Sequence, residues 1–256
     1  MEVDAAGFVT AYAYNDIISL TRVQDKTELT VSNSEDYYAT QMVPIDKPLG
    51  DPMQWQTLRL KASPGLMAKI SASRRQHINA DEVTLLADIS ASAQNDSVNN
   101  NYVLPDDLVL KQRLRKMATA VTDDYVTPIQ QITALREFVS TYIADVPRVQ
   151  SLDIAELLEL PEGDCTEHAA LFNALVTSLG YPAKTVNGLV YLGDNFQGFG
   201  GHQWSEVLLD GYWVGFDPTW NISSLSATHI RFNQELSDDF FNRAEDNYQF
   251  TLVERE

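Results

Sequence analysis

Cys165 is the only cysteine in 256 residues, and it stands where a helix begins, in "GDCTEHAALF" at 163–172. A helix start presents backbone N–H groups that no upstream carbonyl satisfies, and with the helix dipole they stabilise an anion. A thiol held there is drawn toward its nucleophilic, deprotonated form. Asp164 and Glu167 push the other way by charge, so a cationic partner is needed, and histidine is the usual one. His202 begins a run of strand character directly after Gly200-Gly201, where flexible backbone meets a strand mouth. Functional side chains are often carried at such places.

A base of this kind needs orienting. "HQWSEVLL" (202–209) and "YWVGFDPTW" (212–220) read as two strands joined at Asp210-Gly211, a hairpin dipeptide. Folding the chain there brings His202 almost opposite Asp217. The carboxylate can then accept a hydrogen bond from the imidazole, fix its tautomer and support the imidazolium. Taken alone, Asp217-Pro218 only starts a turn. Taken together, a thiol at a helix start, a histidine on one strand and an aspartate at the end of the next make a Cys-His-Asp triad.

Three further histidines compete for the role. His168 lies three residues past Cys165 on roughly the same helical face, within reach of the thiol or of a hydrogen bond inside the core. His77 sits in a strand-rich region with no obvious partner, and His229, in "ATHIRF", reads as structural. A metal centre built from His168, His202, His229 and Asp217 lacks any H-x-x-x-H or comparable spacing. One cysteine excludes both an internal disulfide and a multi-cysteine zinc site. No EF-hand loop or carboxylate cage calls for calcium. The expectation is no cofactor and no metal.

At this point the sequence closely resembles the transglutaminase-like superfamily. "GDCTEHAALFNALVTSLGYPAKTVNGLVY" is similar to its nucleophile segment, and "GHQWSEVLLDGYWVGFDPTWN" to its His-x-Trp-x-Glu and Asp-Pro-Thr segments. The resemblance is specific over 160–232, weaker back to residue 102, and does not reach 1–95. It implies that Cys165 is the nucleophile, His202 the base and Asp217 the orienter. Asp164, His168, Gln203, Trp204 and Glu206 fall around the implied cleft. Gln203 stands where the family more often has a small residue. Trp204 suits a site wall or core, and Glu206 shares strand parity with His202 but equally suits the surface. The implied activity is cysteine-dependent acyl transfer. A thioester forms with a glutamine carboxamide or peptide amide, and water (protease or amidase) or an amine (transglutaminase) resolves it. Bacterial proteins of this pattern are grouped with cysteine proteases. The superfamily also has inactive members, so the alternative is a catalytically inactive binding or scaffolding module. Such members usually lack a triad residue, and this chain has all three.

The elements that must position these residues are legible in part. "TELTVS", "WQTLRLKA" and "EVTLLADISA" read as strands, and the Asn-rich stretch 92–101 as a linker or exposed loop. Leu108, Leu114, Met117, Ala118 and Val121 suit an amphipathic helix. In "TPIQQITALREFVSTYI" Thr127 can cap, Pro128 opens the helix and Gln130 completes a capping box, with Arg136 the one polar residue on an otherwise apolar stripe. "SLDIAELLEL" is a short helix. From Cys165, the stripe Ala169, Phe172, Val176 and Leu179 runs to a stop at Gly180 and Pro182. "AKTVNGLVY" is a strand and "LGDNFQGFGG" a Gly-rich loop. These patterns predict a β-rich region over 1–98, followed over 99–256 by an α+β domain. The resemblance implies a papain-like transglutaminase core for it, with helices packed on an antiparallel sheet.

Composition narrows the partners. There are 36 acidic and 18 basic residues, a formal net charge of −18. Such a field repels phosphate backbones, which excludes nucleic acid as a partner. It mildly favours cationic substrates, although acidic surfaces mostly serve solubility. A protein or peptide substrate is expected, with an amine acceptor as an option. No run is long and apolar enough for a membrane span. The chain reads as soluble, cytoplasmic if Met1 is the natural start and periplasmic or secreted if a leader has been removed.

Overall fold

The computed structural model describes residues 42–87, 102–146, 151–222, 224–232 and 247–256, together with the backbone of three short N-terminal strands. Those three, β1 (Glu2–Val3), β2 (Val9–Tyr14) and β3 (Ile18–Thr21), form an antiparallel meander. Then follow β4 (Met42–Pro44), β5 (Thr57–Ala62), α1 (Pro64–Met67), β6 (Gln76–Asn79) and β7 (Glu82–Leu86). The helical part holds α2 (Leu108–Thr122), α3 (Pro128–Tyr142), β8 (Ala144–Asp145), α4 (Ile154–Glu159), β9 (Glu162–Gly163) and α5 (Cys165–Ser178). The chain closes with β10 (Ala183–Tyr191), β11 (Gly198–Leu209), β12 (Tyr212–Phe216), β13 (Ile230–Arg231) and β14 (Phe250–Arg255). "TELTVS", the end of "EVTLLADISA" and the linker at 92–101 lie outside the described residues.

Capping sets where the helices begin. Thr127 with Gln130, Asp153 with Glu156 and Asp164 with Glu167 each form a complete capping box, so α3, α4 and α5 start where side chains satisfy the first free N–H groups. Helix α5 is apolar beyond the expected stripe: Leu171, Ala174 and Leu175 are buried along with Ala169, Phe172 and Val176. The reason is packing on both sides. Helices α2, α3 and α4 cover one face, and β10 and β11 the other.

The main sheet has the order β12-β11-β10-β13, and β4 pairs with the first residues of β11. A second sheet runs β14-β5-β7-β6. The expected Gly-rich loop ends earlier than predicted, because Gly198–Gly201 already belong to β11, where residues 199–201 face Tyr191 to Leu189 of β10. Glycine there reflects close neighbours rather than a loop. The same holds opposite His202, where a Cβ on Gly188 would overlap the Ile230 carbonyl of β13. One core lies around α5, with Leu114, Leu135, Phe172, Leu175, Val207 and Phe216. A second gathers Leu58, Leu60 and Leu85 with Leu189, Phe199, Ile230 and Phe250. Burying each such side chain contributes roughly 1.5–3 kcal/mol. Strands β4 and β14, and this second core, carry contacts across the boundary expected near residue 98.

Candidate active site

Cys165 is the first residue of α5 and is half-buried. The carboxylates beside it are already occupied. Asp164 Oδ1 accepts from Thr166 N at 2.8 Å, and Glu167 Oε2 accepts from Asp164 N at 2.9 Å. The other Glu167 oxygen accepts from Leu152 N at 3.1 Å. Their charge is thus bound to N–H groups at the positive end of a helix, which blunts the repulsion expected from the sequence.

His202 comes from the middle of β11. The β11–β12 hairpin turns at Asp210 and Gly211, whose φ values of 51° and 84° suit the tight hairpin turn. Its register pairs Leu209 with Tyr212 and Ser205 with Phe216. Continued, it sets Asp217 level with Trp204, two residues away from the almost opposite position expected for His202. A two-residue offset preserves the strand face, and diagonal neighbours remain within reach of long side chains. His202 Nε2 lies 2.8 Å from Asp217 Oδ2, both groups buried. Pro218 cannot extend the ladder. Asp217 Oδ1 accepts from Thr219 N at 2.9 Å and shapes the turn that follows. The turn-forming and histidine-binding readings of Asp217 therefore both hold, on different oxygens.

With Nε2 committed to Asp217, Nδ1 is the ring nitrogen left for another partner, and Cys165 is among the groups that act on the ring. Burial pulls the His202 pKa down. The Asp217 carboxylate, by charge and by hydrogen bond, and then Cys165, more than offset it, and the pKa is raised to about 10. Burial likewise opposes the charged form of Asp217, yet its two histidine neighbours hold it well below the usual carboxylate range. Trp220 lies flat on the His202 ring, with centroids 4.6 Å apart and planes at 9°. An indole face stabilises an imidazolium. Arg136, the polar residue on the α3 stripe, is buried and bonds Asn221 Oδ1 at 3.3 Å and the Ile222 carbonyl, tethering the segment that carries Trp220.

The remaining candidates divide. His168 Nδ1–H donates to the Asp164 carbonyl at 2.7 Å, within its own helix, and is not in the cluster. Trp204 is buried with Val186 and Leu225, its ring 6.2 Å from that of His202. Glu206 pairs with Lys184 at 3.0 Å and Arg231 at 3.5 Å and does not reach Asp217. Gln203 faces away from His202 by strand alternation and is half-buried. His77 is exposed on β6. The residue that spacing missed is His229, whose Nε2 lies 3.2 Å from the same Asp217 oxygen. No local pattern announced it, because it arrives from a loop after the hairpin. Trp220 had a signal, three residues past Asp217 in a motif already singled out.

His202, Asp217 and His229 offer two nitrogens and an oxygen within 4.8 Å of one another. The cluster thus joins three of the four residues weighed for a metal. Each Nε2 lies at N–H···O distance from one oxygen, and two ring protons satisfy that geometry without an ion.

The two histidines predict opposite effects of pH on stability. Burial, ahead of the opposing pull of Asp217, holds the His229 pKa below 6.5, with the positive charges of His202 and Arg75 adding to it. His202 contributes stability that is complete below pH 6.5 and is lost as pH climbs toward 10. For His229 the unfolded chain protonates first, so stability is lost as pH falls below 6.5. Urea unfolding of wild type against His202→Gln and His229→Gln should show the first variant losing the alkaline slope and the second the acid slope. Parallel curves for all three would contradict these assignments.

Residues 115–218 match the family model of the transglutaminase-like superfamily. Solved structures with similarity include the periplasmic domain of TgpA from Pseudomonas aeruginosa bound to ethylmercury. It is 16% identical, with a TM-score of 0.45, over 69% of this chain and 78% of that one. An inferred cysteine protease from Cytophaga hutchinsonii is 12% identical, with a TM-score of 0.42, over 78% of this chain and 86% of that one. No curated protein matches the sequence. The matched segment contains Cys165, His202 and Asp217 in that order, and over it the chain is similar to the transglutaminase-like superfamily.

Proposed function

We propose that the protein is a cysteine-dependent acyl-transfer enzyme, with Cys165 as nucleophile, His202 as acid and base, and Asp217 as the residue that orients His202. The observation that carries this reading is the buried 2.8 Å bond from His202 Nε2 to Asp217, which leaves the other ring nitrogen for the sulfur at the start of α5. An imidazolium beside a sulfur favours the thiolate by charge. The thiolate attacks a carboxamide or peptide carbonyl, and the Cys165 backbone N–H is a donor for the oxyanion. His202 gives its proton to the departing amine as the C–N bond breaks, and a thioester remains. Water or a second amine then attacks the thioester while His202 takes back the proton, and the sulfur leaves as thiolate. The substrate is a glutamine-containing or other amide-bearing peptide, and the acceptor decides between hydrolase and transferase.

Iodoacetamide tests the nucleophile directly, since no other thiol competes. Labelling of Cys165 should stay fast down to about pH 6 and be indifferent to EDTA, whereas an ordinary thiol slows about tenfold per unit below its pKa. Labelling that follows the ordinary thiol, or fails in the folded state, contradicts the reading. Mass spectrometry after incubation with a glutamine peptide and a labelled amine then identifies the thioester adduct and separates water from amine as acceptor.

A further inference from the structure

Asp217 Oδ2 is shared by two imidazoles, and the reaction above uses only one of them. His229 is buried, with Nε2 3.2 Å from that oxygen and Nδ1 3.0 Å from Ser226 Oγ. Ser226 Oγ accepts from Thr228 N at 3.3 Å and meets Thr228 Oγ1 at 2.8 Å. One arrangement of protons satisfies the chain. Thr228 donates to Ser226, Ser226 O–H donates to His229 Nδ1, and His229 Nε2–H donates to Asp217. We propose that His229 is a positioning residue for the reaction, a neutral second imidazole that locks the Asp217 carboxylate in the orientation His202 requires.

The inference rests on the reading under Proposed function and deepens it. A carboxylate facing one histidine can still turn about its side-chain torsions. Here Thr219 N holds one oxygen and His229 the other, so the group that orients His202 is itself held from two sides. Partners of this kind are what keep a reacting group within its productive geometry. The charged and titratable groups that bear on His229 are Asp217, His202 and Arg75. The indoles of Trp204 and Trp220 meet it edge-on, at 5.4 and 6.3 Å between centroids. A cationic His229 would compete with His202 for the single carboxylate, and its surroundings keep it neutral. The loop is fixed from outside the helical part as well. Arg75, just before β6, donates to the Ser226 carbonyl at 2.7 Å, and Gln76 accepts from Arg231 N. His229 also lies beyond residues 115–218, the segment that matches the family model.

The test compares His229→Leu with His229→Gln in the full chain, because a glutamine amide can reproduce the Nε2–H donor and leucine cannot. The readouts are thiolate absorbance near about 240 nm, which in this chain comes only from Cys165, and the pH profile of iodoacetamide labelling. The leucine variant should label about tenfold or more slowly near neutral pH, with its profile moved toward that of an ordinary thiol. The glutamine variant should stay within about threefold of wild type. Should His229→Leu fail to fold, Ser226→Ala carries the test, since it keeps the ring and removes the hydroxyl that sets its tautomer. A measurable shift in the same direction is then expected. A wild-type profile in the leucine variant (or in Ser226→Ala if that stands in), or a glutamine variant as impaired as the leucine one while both melt like wild type, overturns the proposal. If wild type itself labels as an ordinary thiol, the parent reading fails first, and the two failures are told apart by that one curve.

Discussion

Cys165→Ala should yield a folded protein in which acyl transfer is absent, with a rate at least about 10⁵-fold below wild type. The size follows from the lack of a substitute: among 256 residues there is no second thiol to attack the carbonyl. Whatever remains would come from substrate positioning and oxyanion donors alone. The fold should be nearly indifferent. Cys165 is half-buried, and the capping box that starts α5 uses Asp164 and Glu167, not the sulfur. Alanine is a good residue for a first helical turn, so the change in stability should be within about 1 kcal/mol. Activity against a glutamine or amide substrate measured beside the melting temperature checks both halves. A variant that melts normally and keeps a rate within about tenfold of wild type would remove Cys165 from the chemistry.

Much of the site was legible because it lies on elements with strong local signals. Thr127 and Gln130 mark a helix start, and α3 begins at the residue after Thr127; α5 begins at Cys165, where its apolar stripe places it. Strand β10 runs over Ala183–Tyr191 as its β-branched pattern suggests. The errors have physical causes. Glycines 198, 200 and 201 read as a loop, yet they lie in β11, and at Gly200 a side chain would run into Leu192. The hairpin register differs by two residues from one that sets His202 opposite Asp217. The turn residues Asp210 and Gly211 fix the pairing and set Asp217 level with Trp204. The pairing survived the error because an even offset keeps side chains on one face. His229 was out of reach of such reasoning. Its approach to Asp217 depends on how the loop before β13 packs against Arg75 and Gln76, which is a tertiary matter with no sequence period.

Asp217→Asn should lower the rate by about 10³–10⁴-fold, and unlike a surface substitution it should also cost about 1–3 kcal/mol of stability. Two Nε2–H groups aim at one carboxylate oxygen, and an amide cannot take both. Asparagine keeps an oxygen for Thr219 N, so the turn survives, but its NH₂ then faces two donors. The strain is relieved if His202 moves its proton to Nδ1, and that places the proton on the nitrogen meant to receive one from the sulfur. Without the carboxylate charge, burial is opposed by Cys165 alone and pulls the His202 pKa down from about 10. The alkaline loss of stability between pH 6.5 and 10 should therefore disappear along with the activity. Asp217→Ala goes further. It leaves Thr219 N and both rings without an acceptor, for a cost of about 3–5 kcal/mol. The asparagine variant decides between roles that the alanine variant mixes. An asparagine enzyme that is well folded, retains its rate within about tenfold and still loses stability above pH 6.5 would leave Asp217 as a turn residue only.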